Sequence, residues 1–435
     1  MNDHAISAKP IGMVLAALLC AAGMWMFAQR VLIPHQVRDD AAHGRPRGNL
    51  SDLYPRWVGA RELLLHGRDP YSAEVTREIQ LGYYGRLLDH ARPDDPRDEE
   101  AFAYPVYVVF GLAPTVRLPF PIVQKSYFWL MVALTVAGVL VWLRALALSA
   151  PPATQATILI LTLGSLPVMQ GLKLEQISLV VAALLAIGIL LLIKNRPIAA
   201  GIVLALTTIK PQLVLLLLLW LGIWTLADWR RRYHWLAAFL VTMAILFAAS
   251  EYYLPHWIPR FWQALHEYQR YTGAMGVMEK LLRPTWGRPV EIVAFAALAK
   301  ACWGEWRNAA NTRAFIFAIA LVLAVTVLVI PTSAVYNQVL LIPALLVLVQ
   351  ERRTIWQGNL VGRLLFLIVV AMVLWPWIAS VILAGLSFVL PRETVERGWP
   401  LPFWTTLFIP LGVAAMMLVL AGKRTFAASA EVGTS

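Results

Sequence analysis

Along most of this 435-residue chain, apolar residues fall in long runs separated by short polar gaps. The runs cover residues 11–33, 122–148, 153–169, 174–193, 198–209, 213–226, 235–254, 290–302, 315–330, 339–349, 360–390 and 403–420. A helix needs about 20 apolar residues to cross the hydrocarbon core. The first run, 23 residues long, meets that length, and it lacks a convincing small-residue cleavage site, so it reads as an uncleaved first span. The pattern predicts an all-α polytopic membrane protein, a bundle of about 12 transmembrane helices. The whole chain, 1–435, is expected to form one membrane domain, with outer loops at 34–101 and 255–288.

The first polar region contains the stretch 50–71, LSDLYPRWVGARELLLHGRDPY. Leu53, Trp57, Ala60 and Leu64 fall on one side of a helix, with Arg56, Arg61 and Glu62 on the more exposed side. Gly67 and Pro70 are stop signals. This predicts an amphipathic helix lying along the membrane surface with Asp52 at its start as N-cap. A second helix is expected over 74–89. The following segment 102–120 is apolar but cut by Pro105, Pro114 and Pro119, so it is expected to be re-entrant or interfacial.

Composition agrees with a membrane protein. Apolar residues make up 59% and charged residues 14%, against about 25% charged in soluble domains, and the mean hydropathy is +0.65. The 18 Trp suit interfacial belts. The formal charge is +12, yet the cations sit in short gaps between apolar runs and form no basic stripe with interleaved aromatics, which excludes nucleic acid as the partner. Cys20 and Cys302 both lie in apolar segments, so neither a disulfide framework nor a metal site is expected.

The basic gaps orient the chain. With a cytoplasmic N-terminus and 102–120 not crossing, Arg144, Lys194, Arg196, Arg230, Arg231, Arg232, Arg307, Arg313, Arg352, Arg353, Lys423 and Arg424 all fall inside. Asp52, Tyr104, the turn Lys173-Leu174-Glu175-Gln176, Lys210-Pro211-Gln212, the 255–288 loop and Tyr336-Asn337-Gln338 then share the outer face. Localisation in the inner or plasma membrane, with the active site on its outer side, follows.

Several of these residues can carry chemistry. Besides capping a helix, Asp52 can act as a general base beside the membrane. Lys210 interrupts two strongly apolar runs. A cation at that depth either snorkels or serves a function, here as a partner for phosphate. Lys173 and Glu175 form either a solvated pair or part of a site with Gln176. Tyr336, Asn337 and Gln338 offer hydrogen bonds suited to sugar hydroxyls, or an interfacial turn. Arg283 and Trp286 can grip an anion and stack on a sugar. There is no phosphate-cradling glycine loop, no HExxH, no DxD pair and no Ser/His/Asp pattern.

Taken in order, these motifs resemble glycosyltransferase family 87, the polytopic GT-C-type transferases that use polyprenyl-phosphate-linked sugars. Asp52 with its helix and Gly67-Arg68-Asp69-Pro70-Tyr71 looks like the family's first outer loop. Phe102-Ala103-Tyr104-Pro105 and Ala113-Pro114 look like its YPP…AP segment, with Val106 for the second Pro. Glu175-Gln176-Ile177-Ser178 resembles its GQ-x-N turn, with Glu for Gly and Ser for Asn. Ile209-Lys210-Pro211-Gln212 resembles its KPQ motif, and Tyr336-Asn337-Gln338 begins a similar late segment. The resemblance covers residues 49–350. It implies a metal-independent, inverting transfer with Asp52 as catalytic base, no cofactor beyond a polyprenyl-phosphate sugar as donor substrate (often mannose), and a lipid or glycan acceptor. Tyr104, Lys173, Gln176, Lys210, Gln212, Arg283, Tyr336, Asn337 and Gln338 are the expected substrate-binding residues. The alternative is a transporter or flippase, in which broken helices and buried Lys also occur. No inverted repeat is evident, and a positioned outer acid favours catalysis. A structural scaffold would not sort its polar motifs to one face.

Overall fold

A computed structural model describes residues 10–45, 51–89, 91–273 and 275–432. Asn49 and Leu50, which open the stretch and the resemblance above, lie outside the described residues. Among the described residues every regular element is a helix. In chain order the principal helices begin with α1 (Pro10–Ala42), α2 (Leu53–His66), α3 (Ala73–Tyr83), α4 (Val108–Leu112), α5 (Phe120–Ala145) and α6 (Pro152–Leu163). Then follow α7 (Leu166–Lys173), α8 (Ile177–Ile193), α9 (Pro197–Leu206), α10 (Leu215–Leu226), α11 (Trp229–Tyr253) and α12 (Trp257–Thr272). The last are α13 (Val277–Cys302), α14 (Arg313–Val329), α15 (Ile342–Gln350), α16 (Leu360–Leu386) and α17 (Phe408–Val432).

Five segments are long and apolar enough to cross a membrane: α1, α5, α11, α16 and Arg392–Gly422. The bent pair α6/α7, broken by 54°, makes a sixth if counted as one span. The expected twelve spans are therefore not carried by twelve long helices. Ile177–Ile193, Pro197–Ile209, Leu215–Leu226, Arg313–Val329 and Val335–Gln350 are apolar but shorter. At 1.5 Å per residue, a helix of 17 residues reaches only about 25 Å, short of a core about 30 Å thick. Segment 102–120 holds only the five-residue α4 and a 3₁₀ turn, so it forms no crossing helix. The 255–288 stretch, expected as a loop, is mostly helical, and the apolar run 290–302 is the second half of α13. Arg283, with φ 61° just before Pro284, kinks that helix.

Broken helices need substitute partners for their freed carbonyls. At the α6/α7 bend the indole N–H of Trp25 donates to the Leu163 carbonyl at 3.2 Å, and that of Trp377 to the Gly164 carbonyl at 2.7 Å. α14 lies at the centre, buried on all sides from Phe315 to Leu328 and packed by α10, α13, α15 and α17. A helix apolar all round belongs there. α11 is the opposite case, with only Trp235 and Ser250 buried, and its apolar outer surface suits lipid.

α2 is not the surface helix its pattern implied. Arg56 is 4% exposed and Glu62 1%. Glu62 accepts hydrogen bonds from Arg61 and Arg68, and His66 lies 3.0 Å from it. The Glu62 carboxylate is thus covered by neighbours from α2 and the turn after it, and α2 packs on α3 and α4. Gly67 ends the helix as expected: it is left-handed at φ 65°, its N–H donates to the Leu63 carbonyl, and that of Arg68 donates to the Glu62 carbonyl. α3 keeps the amphipathic pattern, burying Val75, Ile79 and Tyr83, but stops at Tyr83.

Candidate active site

Four interruptions of the helical pattern converge on one cavity of about 660 Å³. They are the start of α2, the α7–α8 turn, the break between α9 and α10, and the stretch after Pro331. The cavity is lined by Asp52, Tyr104, Gln176, Lys210, Gln212, Tyr336 and Asn337 among others. Residues up to 285 positions apart in the chain meet here because each break in a helix leaves a polar side chain at a helix end.

The α9–α10 break is built by sequence. Pro211 cannot donate the bond that would continue α9, and Lys210 takes an extended conformation (φ −132°, ψ 75°) between two 3₁₀ turns. Its Nζ donates to Gln176 Oε1 at 3.1 Å and to Ser178 Oγ at 2.8 Å, and lies 4.7 Å from the Tyr336 ring centroid. Ser178 in turn donates to Asn337 Oδ1 at 2.8 Å. Both polar residues of the Gln176-Ile177-Ser178 turn therefore hold Lys210, with Ser178 serving where the resemblance has Asn. Lys210 is 4% exposed and has no direct carboxylate partner among the described residues.

Gln176 also donates through Nε2 to Asp52 Oδ2, so one amide joins the ammonium to the carboxylate. This replaces the expected N-cap. The Asp52 side chain makes no capping bond; Ser51 Oγ instead accepts from the Leu53 N–H at 3.1 Å, and the Asp52 N–H donates to the Leu174 carbonyl at 3.1 Å. With a helical backbone at residue 52, its carboxylate points away from the first-turn donors and into the cavity.

Arg56 sits one turn along α2, and its guanidinium donates to the Asp52 carbonyl and to the Tyr104 hydroxyl while lying 4.2 Å from the Tyr104 ring centroid. Tyr71, from the turn after α2, donates to the Tyr104 carbonyl at 2.6 Å. Asp98 and Glu100 bring two further acids to the same cavity. Burial pushes the Asp52 carboxyl above the ordinary range, opposed by the Arg56 and Lys210 charges and the Gln176 hydrogen bond. Burial likewise raises Asp98 to about 6 and Glu100 well above its usual value.

α12 walls the remaining side with Trp257, Ile258, Phe261, Trp262, Leu265 and Tyr268. Arg260 on its outer side donates to Asp69 at 2.7 Å.

Four residues with an expected site role lie off this cavity. Lys173 donates to Gln36 of α1 and makes no pair with Glu175, because the turn sends the two side chains apart. Gln338 donates to the Thr406 carbonyl at 2.6 Å; neighbours in a 3₁₀ helix point about 120° apart, so it faces away from Asn337. Arg283 and Trp286 are exposed at the α13 kink. In the other direction, sequence reasoning passed over Arg56, Asp98, Glu100, Tyr107 and the α12 aromatics. The i, i+4 spacing of Asp52 and Arg56 was the available signal for the first. Helical periodicity, taken alone, instead assigns the charged flank opposite Leu53 and Trp57 to solvent.

Searches of curated proteins and of solved structures found no match to this chain. The family model of glycosyltransferase family 87 matches residues 102–331, more than half of the chain. That span includes Tyr104, Gln176, Lys210 and Gln212, while Asp52, Tyr336 and Asn337 lie beyond its ends. With its apolar helices and this match, the chain belongs to glycosyltransferase family 87 and is a membrane glycosyltransferase.

Proposed function

We propose that the protein transfers a monosaccharide, mannose in our reading, from a polyprenyl-phosphate donor to a lipid or glycan acceptor at the outer face of the inner or plasma membrane. The observation that carries this is the Gln176 bridge between the Asp52 carboxylate and the Lys210 ammonium in one cavity. Family membership favours this transferase over the transporter or flippase alternative.

In the reaction, an acceptor hydroxyl attacks the anomeric carbon of the donor. The new C–O bond forms as the bond to the phosphate oxygen breaks, and Asp52 takes the hydroxyl proton. Direct displacement inverts the anomeric centre. A buried carboxylate with a raised pKa is better matched to this task than a solvated one. The leaving group is polyprenyl phosphate, whose charge Lys210 would stabilise. An ammonium has three N–H donors; Gln176 and Ser178 take two, which leaves one for a phosphate oxygen. The family resemblance supports a route without metal or other cofactor. The outward placement follows from the distribution of basic gaps.

The test is incubation of purified protein with polyprenyl-phosphate mannose and membrane lipid extract. A mannosylated lipid or glycan together with released polyprenyl phosphate is expected. Absence of both from folded protein, across donors carrying other hexoses, would end the lipid-donor reading.

A further inference from the structure

The walls of the cavity differ in how firmly they are held. α2, α8, α9 and α10 each pack closely on neighbouring helices. α12 closes the remaining side, yet among the described residues it packs closely on no other helix. Its sequence explains the arrangement. Apolar and aromatic residues at 257, 258, 261, 262, 265 and 268 make one stripe, which lines the cavity. Arg260, Gln263, Glu267 and Arg270 make the opposite stripe and are exposed. Of the residues of α12 only Trp257 is buried, against Tyr107 and Phe247. Trp262, on the cavity stripe, stays 54% exposed.

Both ends of α12 are joints. His256 before it (φ 59°) and Gly273 after it (φ 56°) lie in the left-handed region, which residues other than glycine seldom adopt. The helix is thus a rigid piece between two points where the backbone changes direction, the positions at which hinges absorb a change of φ and ψ. Along α12, Gln263 bonds to Glu267, and Thr272 to the Tyr268 carbonyl, within the helix itself. The tie outward is Arg260, whose guanidinium donates to Asp69 Oδ2 at 2.7 Å. Asp69 Oδ1 accepts from the Tyr71 N–H, and the Tyr71 hydroxyl supports the cavity residue Tyr104. The Arg260 and Asp69 side chains are 43% and 26% exposed, so this is a solvated ion pair of the kind that contributes little and breaks readily.

Resting on the reading that a polyprenyl-phosphate sugar reaches this cavity, we infer that α12 is a hinged lid: it swings on His256 and Gly273 to admit the substrate, and the Arg260–Asp69 pair latches it closed. Closure lays the aromatic stripe over the reacting groups and excludes water, which competes with the acceptor hydroxyl for the sugar.

In protein stripped of Cys20 and Cys302, spin labels on Arg77→Cys of α3 and Gln263→Cys of α12, both exposed positions, report where α12 sits. Two distance populations are expected, a shorter closed one and a longer open one. Arg260→Ala should raise the ratio of open to closed by about two- to fivefold, the range for a solvated ion pair. A single population in both proteins overturns the lid, and a ratio unmoved by the substitution overturns the latch. A second arm bridges Asp69→Cys and Arg260→Cys with a reducible bis-thiosulfonate reagent. Turnover of polyprenyl-phosphate mannose should fall at least about tenfold on bridging and recover on reduction, which also shows that the protein is folded. Bridged protein turning over at its unbridged rate overturns the lid. Should wild-type protein turn over no polyprenyl-phosphate mannose, the lipid-donor reading fails, and the spin-label arm still decides the lid.

Discussion

Replacing Asp52 with Asn separates chemistry from architecture at this site. The substitution is close to isosteric, and its amide oxygen can still accept from Gln176 Nε2. The helix start does not depend on this side chain, since Ser51 makes the local bond to the Leu53 N–H. The loss of about 0.5–2 kcal/mol that follows removal of a true capping side chain is therefore not expected, and stability should change by less than about 1 kcal/mol. Proton acceptance is what disappears. General-base catalysis contributes about 10²–10⁴-fold, or about 3–5 kcal/mol in the barrier. Donor affinity should hold or tighten, because Arg56 and Lys210 lose a neutralising neighbour and the proposed donor is anionic. The assay is turnover of polyprenyl-phosphate mannose by folded protein, with a thermal melt and a polyprenyl-phosphate titration alongside. Wild-type turnover should also fall on the acid side through an apparent pKa above that of an ordinary carboxylate, because only ionised Asp52 accepts the proton and burial raises its pKa. The variant should lack that limb. Turnover within a few-fold of wild type, with the acid limb intact, would refute Asp52 as the base.

Lys210→Ala should weaken polyprenyl-phosphate binding by about tenfold or more, the usual scale for a charge-assisted hydrogen bond, and Lys210→Arg should recover part of it; equal affinities across the three proteins in a titration would remove the phosphate role. In protein stripped of Cys20 and Cys302, a cysteine at the exposed position Asp94 should react with an impermeant reagent applied outside, and one at the exposed position Arg231 should not. Labelling of both from one side would reverse or abolish the orientation drawn from the basic gaps. Asp98, raised to about 6 by burial, holds its proton more tightly folded than unfolded, so this group's contribution to stability falls as pH rises from about 4 to 6. Asp98→Asn should therefore raise the melting temperature at pH 7.5 more than at pH 5, and an equal shift at both would show that the carboxyl is not strained by ionisation.

Much of this protein is legible in one dimension. Long apolar runs and a 14% charged fraction demand helices in a membrane, because no other open structure satisfies its own backbone there. Pro211 marks the break beside Lys210, and Gly67 marks the end of α2, because each acts through its own backbone. The order of the motifs from Asp52 to Tyr336 was enough to indicate the family. Tertiary structure alone decided which polar side chains share the cavity. Gln176 can reach both Asp52 and Lys210 only because the α7–α8 turn is seated between α2 and the α9–α10 break, a long-range arrangement with no local signature. The same holds where periodicity misled. Arg56 and Glu62 read as exposed because charged residues usually are, yet Tyr104, 48 positions on, takes the Arg56 guanidinium, and the local turn brings Arg61, His66 and Arg68 onto Glu62. Asn337 and Gln338 are neighbours with equivalent chemistry on paper. A 3₁₀ turn points one into the cavity and the other at Thr406, and only the path of the backbone in three dimensions makes that choice.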